Sequence, residues 1–133
     1  MRFLSIYKST ESNVPPSPEH LAKLEKLIEE SMRSGELLAT EGCLPTAFGS
    51  RVRIANGQVS VTDGPFAETK EVIGGFAILQ ASSKEQAIEQ ARKFLQVMGS
   101  GECEVRQLFD APAAAAGDAA CTHAQLTEQF AQL

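Results

Sequence analysis

The chain has 133 residues, of which 43% are hydrophobic, and this suffices for one compact domain with a single core. Its formal net charge is −5, with 12 basic against 17 acidic residues, which argues against nucleic-acid binding because phosphate contacts need clustered lysine and arginine. Three scattered cysteines fit no zinc site or disulfide scaffold, and no run approaches the ~18 apolar residues of a membrane span, so we expect a soluble, cytoplasmic, metal-free protein.

The first part of the chain predicts a strand, a helix and a second strand. Residues 3–7 carry bulky side chains on both faces, which favours a central strand. Ser17, followed by a proline, is typical of a helix start, and Gly35 is typical of a helix end. Apolar residues at helical spacing between them predict a helix over 18–34. A short strand follows at 37–40.

A β-hairpin is predicted in the middle of the chain. Strands at 51–55 and 58–62 flank Asn56-Gly57, the dipeptide best able to adopt the positive φ angles of a type I′ turn. The two-residue loop sets the register, so one face is apolar and the other polar. By this alternation Asp63 falls on the apolar face, which we expect to be buried, and a buried carboxylate needs hydrogen-bonding partners.

The last part repeats the order of strand, helix and strand. We predict a strand at 76–81, a helix at 84–98 after two serines with capping-box spacing, and a strand at 103–109. Two βαβ-like halves predict an α+β, ferredoxin-like sandwich, with an antiparallel sheet, an inserted hairpin and two helices on one face. We expect this domain over residues 1–110, followed over 111–133 by an Ala-rich tail with a possible short helix.

The most distinctive stretch, residues 61–76, reads VTDGPFAETKEVIGGF. Its Asp-Gly-Pro-Phe turn leaves one strand, and its paired glycines lead into the next. Together with GELLATEG at 35–42 and GECEVRQL at 101–108, it resembles the DGPF branch of the YCII-related proteins. The resemblance covers residues 2–110 and implies a dimeric α/β-barrel form of the ferredoxin-like fold, and hence a homodimer.

The resemblance also implies chemistry at two residues. His20, in SPEHLAKL, falls on the histidine of a His-Asp pair proposed for other YCII proteins, and its position at a helix start suits a general base. The family's aspartate near the end of the second helix is absent, since 93–97 reads KFLQV, so Asp63 becomes the candidate carboxylate. Two structural alternatives stay open: His20 as an exposed residue without a task, and Asp63 as the residue that holds the turn.

Four further side chains are candidates for substrate binding: Tyr7, Phe66, Lys70 and Arg106. Each has a structural alternative. Tyr7 can be a half-buried strand aromatic, Phe66 a core or dimer contact, and Lys70 part of a solvated charge cluster. Arg106 can make a surface ion pair worth less than ~1 kcal/mol.

These patterns leave two functions open. Phosphate-loop, nucleophile-elbow and metal-ligand motifs are absent from the sequence, so no cofactor is expected. The resemblance implies a homodimer that binds a small organic molecule, with possible cofactor-free proton transfer of isomerase or lyase type by His20 and Asp63. The alternative is a non-enzymatic dimeric regulatory or interaction module, because DGPF-type proteins are often encoded beside or fused to sigma factors. A deep, enclosed polar pocket favours the first function, and an exposed apolar patch over a filled core favours the second.

Overall fold

A computed structural model describes residues 1–12, 14–66, 70–109 and 131. The predicted tail at 111–133 therefore lies outside the described residues, apart from residue 131. Eight helices and strands are described in chain order: β1 (Arg2–Ser9), α1 (Pro18–Arg33), β2 (Leu37–Gly42), β3 (Ser50–Ala55), β4 (Gln58–Asp63), β5 (Val72–Gln80), α2 (Lys84–Met98) and β6 (Glu102–Gln107). A short 3₁₀ helix, Thr46–Phe48, precedes β3.

Four strands form one antiparallel sheet in the order β2-β5-β1-β6. This order interleaves two βαβ halves, as in a ferredoxin-like fold. Both helices contribute to one core on the same face of the sheet, in which Phe3, Leu37, Leu79 and Ala87 are buried and Ile28 packs against them. The predicted α+β, ferredoxin-like sandwich is confirmed, and β1 is central as expected.

Local sequence signals set the helix ends. The Ser17 hydroxyl accepts a hydrogen bond from the backbone N–H of His20 at 3.2 Å, and Ser83 caps α2 through the N–H of Gln86 at 3.2 Å. Gly99 ends α2 with a φ of 82°, in the left-handed region that glycine adopts without a steric penalty. The bounds of α2 agree with the prediction because both ends carry such signals. No helix in the described part of the chain is long and apolar enough to cross a membrane.

The hairpin has the predicted register but not the predicted burial. Val52 pairs with Val61 and Ile54 with Val59 across the Asn-Gly turn. However, β3 and β4 form a separate two-stranded sheet, and these four side chains are between 63% and 71% exposed. The expectation that Asp63 emerges on a buried face is wrong, since Asp63 is exposed as well. Alternation specifies which residues share a face, whereas tertiary packing decides what covers that face.

Candidate functional site

A cavity of about 850 Å³ lies between the four-stranded sheet and the two helices. Small residues make room for it, because the lining residues Ser5, Ala77 and Ala91 occupy positions where larger side chains would fill the space. Its volume falls in the range of small-molecule sites, about 300–1,000 Å³. The apolar part of the wall consists of Leu24, Leu27, Ile28, Leu37, Leu79, Phe94 and Met98.

Tyr7 forms part of this wall and is held in place on several sides. Its hydroxyl donates a hydrogen bond to the Ser100 carbonyl at 2.8 Å. Its ring meets Phe94 edge to face, with centroids 5.2 Å apart. A Cβ on Gly74 would lie 3.2 Å from the ring, so a residue without a side chain suits this position. Tyr7 is thus a cavity residue whose donor is already used, and its role toward a substrate stays a prediction.

Three polar side chains face the apolar wall from the sheet and α2. Ser5 is buried, and the hydroxyl of Thr40 donates to the Phe76 carbonyl at 3.0 Å. The amide nitrogen of Gln90 donates to the Gln80 carbonyl at 3.2 Å. The amide oxygen of Gln90 is buried and has no hydrogen-bond partner among the described protein groups. The hydroxyl of Thr40 and the amide nitrogen of Gln90 are thus both committed to backbone carbonyls.

Charged side chains also line the cavity. Glu30, Glu41 and Lys93 line it and are exposed, whereas Glu36 lines it and is half-buried. Among the described residues, three carboxylates and one ammonium group thus line the cavity. In the part of the chain that the structure describes, no arginine or histidine lines the cavity.

The two predicted catalytic residues lie on different elements, His20 on α1 and Asp63 at the end of β4. His20 is half-buried in the first turn of α1, and among the described residues no hydrogen bond or ion pair joins it to Asp63. Asp63 accepts a hydrogen bond from the Ser50 hydroxyl at 2.7 Å, at the base of the hairpin. Neither residue lines the cavity. Asp63 has the partner of a structural carboxylate, and the catalytic roles stay predictions.

The Asp-Gly-Pro-Phe turn packs the base of the hairpin against the 3₁₀ helix. A Cβ on Gly64 would collide with the Thr46 carbonyl oxygen, so only glycine fits. Glu11 accepts hydrogen bonds from the N–H and hydroxyl of Thr46, at 2.6 and 2.9 Å. Phe66 lies under the Arg51 guanidinium, 3.9 Å from its ring centroid. Phe66 therefore belongs to the set of contacts at the base of the hairpin, made by Glu11, Thr46, Gly64 and Phe66 and hereafter called the joint. The sequence did not point to Glu11, because no local pattern distinguishes a structural glutamate in a loop.

The remaining predicted binding residues lie away from the cavity. Lys70 follows the Asp-Gly-Pro-Phe turn in the sequence and is exposed, and Arg106 is exposed on β6. In β1, Leu4 pairs with Arg106 in register, so Arg106 is on the face opposite the helices, as Leu4 is. Thr40 and Gln90 were missed, since nothing local marks them. The sequence did carry a signal for the cavity, which is the presence of small residues at inward-facing positions of the strands and of α2.

The described residues offer little support for thiol or metal chemistry. Burial raises the pKa of the Cys103 thiol, and a weaker opposing effect comes from its hydrogen bond with Ser5. A raised pKa keeps this thiol protonated and poorly nucleophilic near neutral pH. In the part of the chain that the structure describes, no group of three or more histidine, cysteine, aspartate or glutamate residues is placed to hold a metal ion.

The strand order and the cavity define a ferredoxin-like α+β protein with a candidate ligand site. The chain belongs to the YCII-related domain family, which it matches over residues 1–112. It is 36% identical over 78 residues to an uncharacterised protein of Rhizobium meliloti (strain 1021), a match that covers 58% of this chain and 63% of that protein. The chain thus spans less than two thirds of the curated relative that it matches.

A solved structure is also similar to the chain. It is that of 5-chloro-2-hydroxyhydroquinone dehydrochlorinase from Burkholderia phenoliruptrix AC1100, in complex with 2,5-dihydroxybenzoquinone. The similarity has a TM-score of 0.41 and a sequence identity of 19%, and it covers 84% of this chain and 96% of that chain.

Proposed function

We propose that this protein binds a small, largely apolar organic molecule in the cavity between its sheet and its helices. The observation that carries the proposal is a cavity of about 850 Å³ with a mainly apolar wall and a few polar groups. Filled cores of small domains leave few voids larger than a water molecule. A space of this size between the sheet and the helices therefore favours a ligand.

The proposal predicts that filling the cavity abolishes binding. Ser31 lines the cavity from α1, so the indole of Ser31→Trp would occupy space that a ligand needs. We expect at least a ~10-fold loss of affinity for the neutral apolar dye Nile red, measured by fluorescence titration, because most of the apolar contact is lost. Ala22→Trp is the matched control, since Ala22 is exposed on the same helix and does not line the cavity. Equal binding by Ser31→Trp and wild type would contradict the proposal.

As chemistry, we propose cofactor-free proton transfer of isomerase or lyase type, with His20 as base and Asp63 as orienting acid. The support is the family membership together with the position of His20 in the first turn of α1, half-buried, with its ring unpartnered among the described residues. His20 and Asp63 lie outside the cavity wall, so ligand binding and catalysis are separate proposals with separate tests.

We also assign the chain to the DGPF branch of the family. The support is Asp63-Gly64-Pro65-Phe66 itself, in which Gly64 is sterically required and Phe66 packs under Arg51. This turn fixes where the hairpin leaves the domain.

A second candidate function is a cytoplasmic, dimeric regulatory or interaction module linked to sigma-factor signalling. The observation that favours it is the apolar face of the hairpin, hereafter the hairpin face, formed by Val52, Ile54, Val59 and Val61. An exposed apolar surface of this kind is typical of an interaction site. If a sigma-factor-linked protein is the partner, it should co-purify with wild type and be lost from Val59→Lys. Its recovery with both would exclude the hairpin face as its binding site.

A further inference from the structure

Resting on the proposed function, we infer that α1 is a lid, which detaches from the sheet in the ligand-free protein and is held over the cavity by the bound ligand. The inference comes from a difference between the two helices. Both line the cavity, but α2 has buried residues and α1 has none. The wall of the cavity therefore has a fixed part, made by the sheet and α2, and a part that can move, made by α1.

Helix α2 is attached to the sheet in three ways. Ala87 is fully buried in the hydrophobic core. The amide nitrogen of Gln90 donates a hydrogen bond to the Gln80 carbonyl at the end of β5, at 3.2 Å. The Phe94 ring meets the Tyr7 ring of β1 edge to face, with centroids 5.2 Å apart. Buried contacts and hydrogen bonds between elements oppose local opening of this helix.

Helix α1 has no comparable attachment among the described residues. From α1 only Ile28 packs against the core, and it is half-buried. The side-chain hydrogen bonds and ion pairs of α1 in the described part of the chain join residues 17–36 to one another, and none reaches the sheet. Detaching α1 therefore costs little free energy. A detached helix of 16 residues is marginally stable in water, so detachment also exposes its backbone amides.

The apolar side of α1 lines the cavity. Leu24, Leu27 and Ile28 form this side, and all three are half-buried. An apolar ligand would cover these side chains, and removing apolar surface from water stabilises the closed position of α1. A ligand that contacts both α1 and the fixed part of the wall binds the closed position better than the open one. Binding therefore shifts the equilibrium toward closure.

The segments at the two ends of α1 allow this movement. Before the helix, residues 14–17 are exposed. After it, Gly35 has a φ of 82°, and a Cβ there would meet no atom within 4 Å. The Glu36 carbonyl then accepts a hydrogen bond from the Gln80 N–H at 2.8 Å, which fixes the chain again at the start of β2. The hinge is therefore at residues 34–35, since a few residues at the end of an element suffice to absorb such a rotation.

The first experiment measures amide hydrogen exchange in the full chain by NMR, without dye and at a free Nile red concentration ten times its dissociation constant. Without dye, we expect the amides of α1 to be at least ~10-fold less protected than those of α2. With dye, exchange from α1 should slow about tenfold, because opening then requires release of the dye. Equal protection of the two helices without dye, or an unchanged rate at α1 with dye bound, overturns the lid.

Two variants separate the lid from the proposed function. Ala22→Trp is the matched control, and the dye should slow exchange from its α1 as in the wild type. Ser31→Trp should lose this slowing together with the dye, because its indole occupies the cavity. If Ser31→Trp binds the dye as the wild type does, the proposed function itself is wrong. If only Ser31→Trp loses the dye and exchange from α1 of the wild type is still not slowed, the lid alone is wrong.

The second experiment uses urea below the unfolding transition to distinguish local opening from global unfolding. Opening of the lid exposes less surface than unfolding of the domain, and the urea dependence of a free energy scales with the surface exposed. We expect exchange from α2 to accelerate at least about fivefold per molar urea, and exchange from α1 less than about twofold. Equal acceleration would mean that α1 opens only when the whole domain unfolds, and this result overturns the lid.

Discussion

His20 is placed by its neighbours along the chain. The Ser17 hydroxyl caps α1 by accepting a hydrogen bond from the backbone N–H of His20. It makes no hydrogen bond with the imidazole ring of His20. Among the described residues nothing pairs with the imidazole, so it is available to a molecule that approaches the start of α1. Asp63, by contrast, is engaged by the Ser50 hydroxyl at the base of the hairpin. These two residues have different surroundings, so their roles can be tested separately.

If His20 is a general base, its removal should stop proton transfer. We expect His20→Ala to slow deuterium incorporation into a panel of cyclic ketones at least ~100-fold, followed by NMR in deuterated water, because general bases contribute about 10²–10⁴-fold. Asp63→Asn should slow it less, since Asp63 would only orient. Glu19→Gln, one residue before His20 and exposed, is the control that should keep wild-type rates. Retention of activity by both His20→Ala and Asp63→Asn would refute the catalytic proposal.

At the scale of elements, the hairpin depends on the joint at its base. The backbone N–H of Gly64 donates to the Gly49 carbonyl at 2.9 Å, and that of Phe66 donates to the Thr46 hydroxyl at 3.4 Å. These bonds tie the segments before β3 and after β4 to each other. A two-stranded hairpin is marginally stable by itself in water, so its stability should follow the integrity of this joint.

The joint predicts a steric sensitivity at Gly64. We expect Gly64→Ala to lower the free energy of unfolding in urea by about 1–3 kcal/mol, because a Cβ there collides with the Thr46 carbonyl and the backbone must shift. Gly42→Ala should change it little, since the nearest atom to a Cβ at Gly42 is 4.0 Å away. An equal free energy of unfolding for Gly64→Ala and wild type would contradict this prediction, because the contacts of the joint would then rearrange without loss of stability.

Elements with local signals were predicted well, and those without were not. The helix at 84–98 agrees with α2, since a serine cap and a left-handed glycine mark its ends. Strand β5 begins at Val72, earlier than the predicted residue 76. Local propensity disfavours Gly74 and Gly75 in a strand, and only their tertiary surroundings make them strand residues. A Cβ on Gly75 would lie 2.6 Å from the Glu41 carbonyl, so close strand packing requires a residue that local propensity disfavours.

At the scale of the whole molecule, apolar surface remains uncovered in the single chain. The hairpin face is exposed, and Leu38, Ile73 and Phe76 of the main sheet are exposed as well. Proteins in water rarely leave contiguous apolar patches of this kind without a partner. A second copy of the chain is the partner that the family resemblance implies, and the homodimer stays a proposal.

The homodimer proposal predicts opposite results for two adjacent residues of β4. Val59→Lys places a charge on the hairpin face and should shift the protein toward the monomer, as measured by size-exclusion chromatography with light scattering, because a buried unpaired charge is unfavourable. Ser60→Lys puts the same charge on the polar face and should leave the mass unchanged. A dimer in both variants would place the interface elsewhere, and a monomeric wild type would refute the dimer.

The sequence alone determined the elements, the helix caps, the hairpin register and, through residues 61–76, the family. These features depend on neighbours within a few residues, where sterics and hydrogen bonding act locally. Only the tertiary structure decided that the hairpin face is exposed, that Asp63 is hydrogen-bonded to Ser50, and that small residues on β1, β5 and α2 line a cavity. Each of these depends on how distant segments pack, and no local pattern encodes the space left between them.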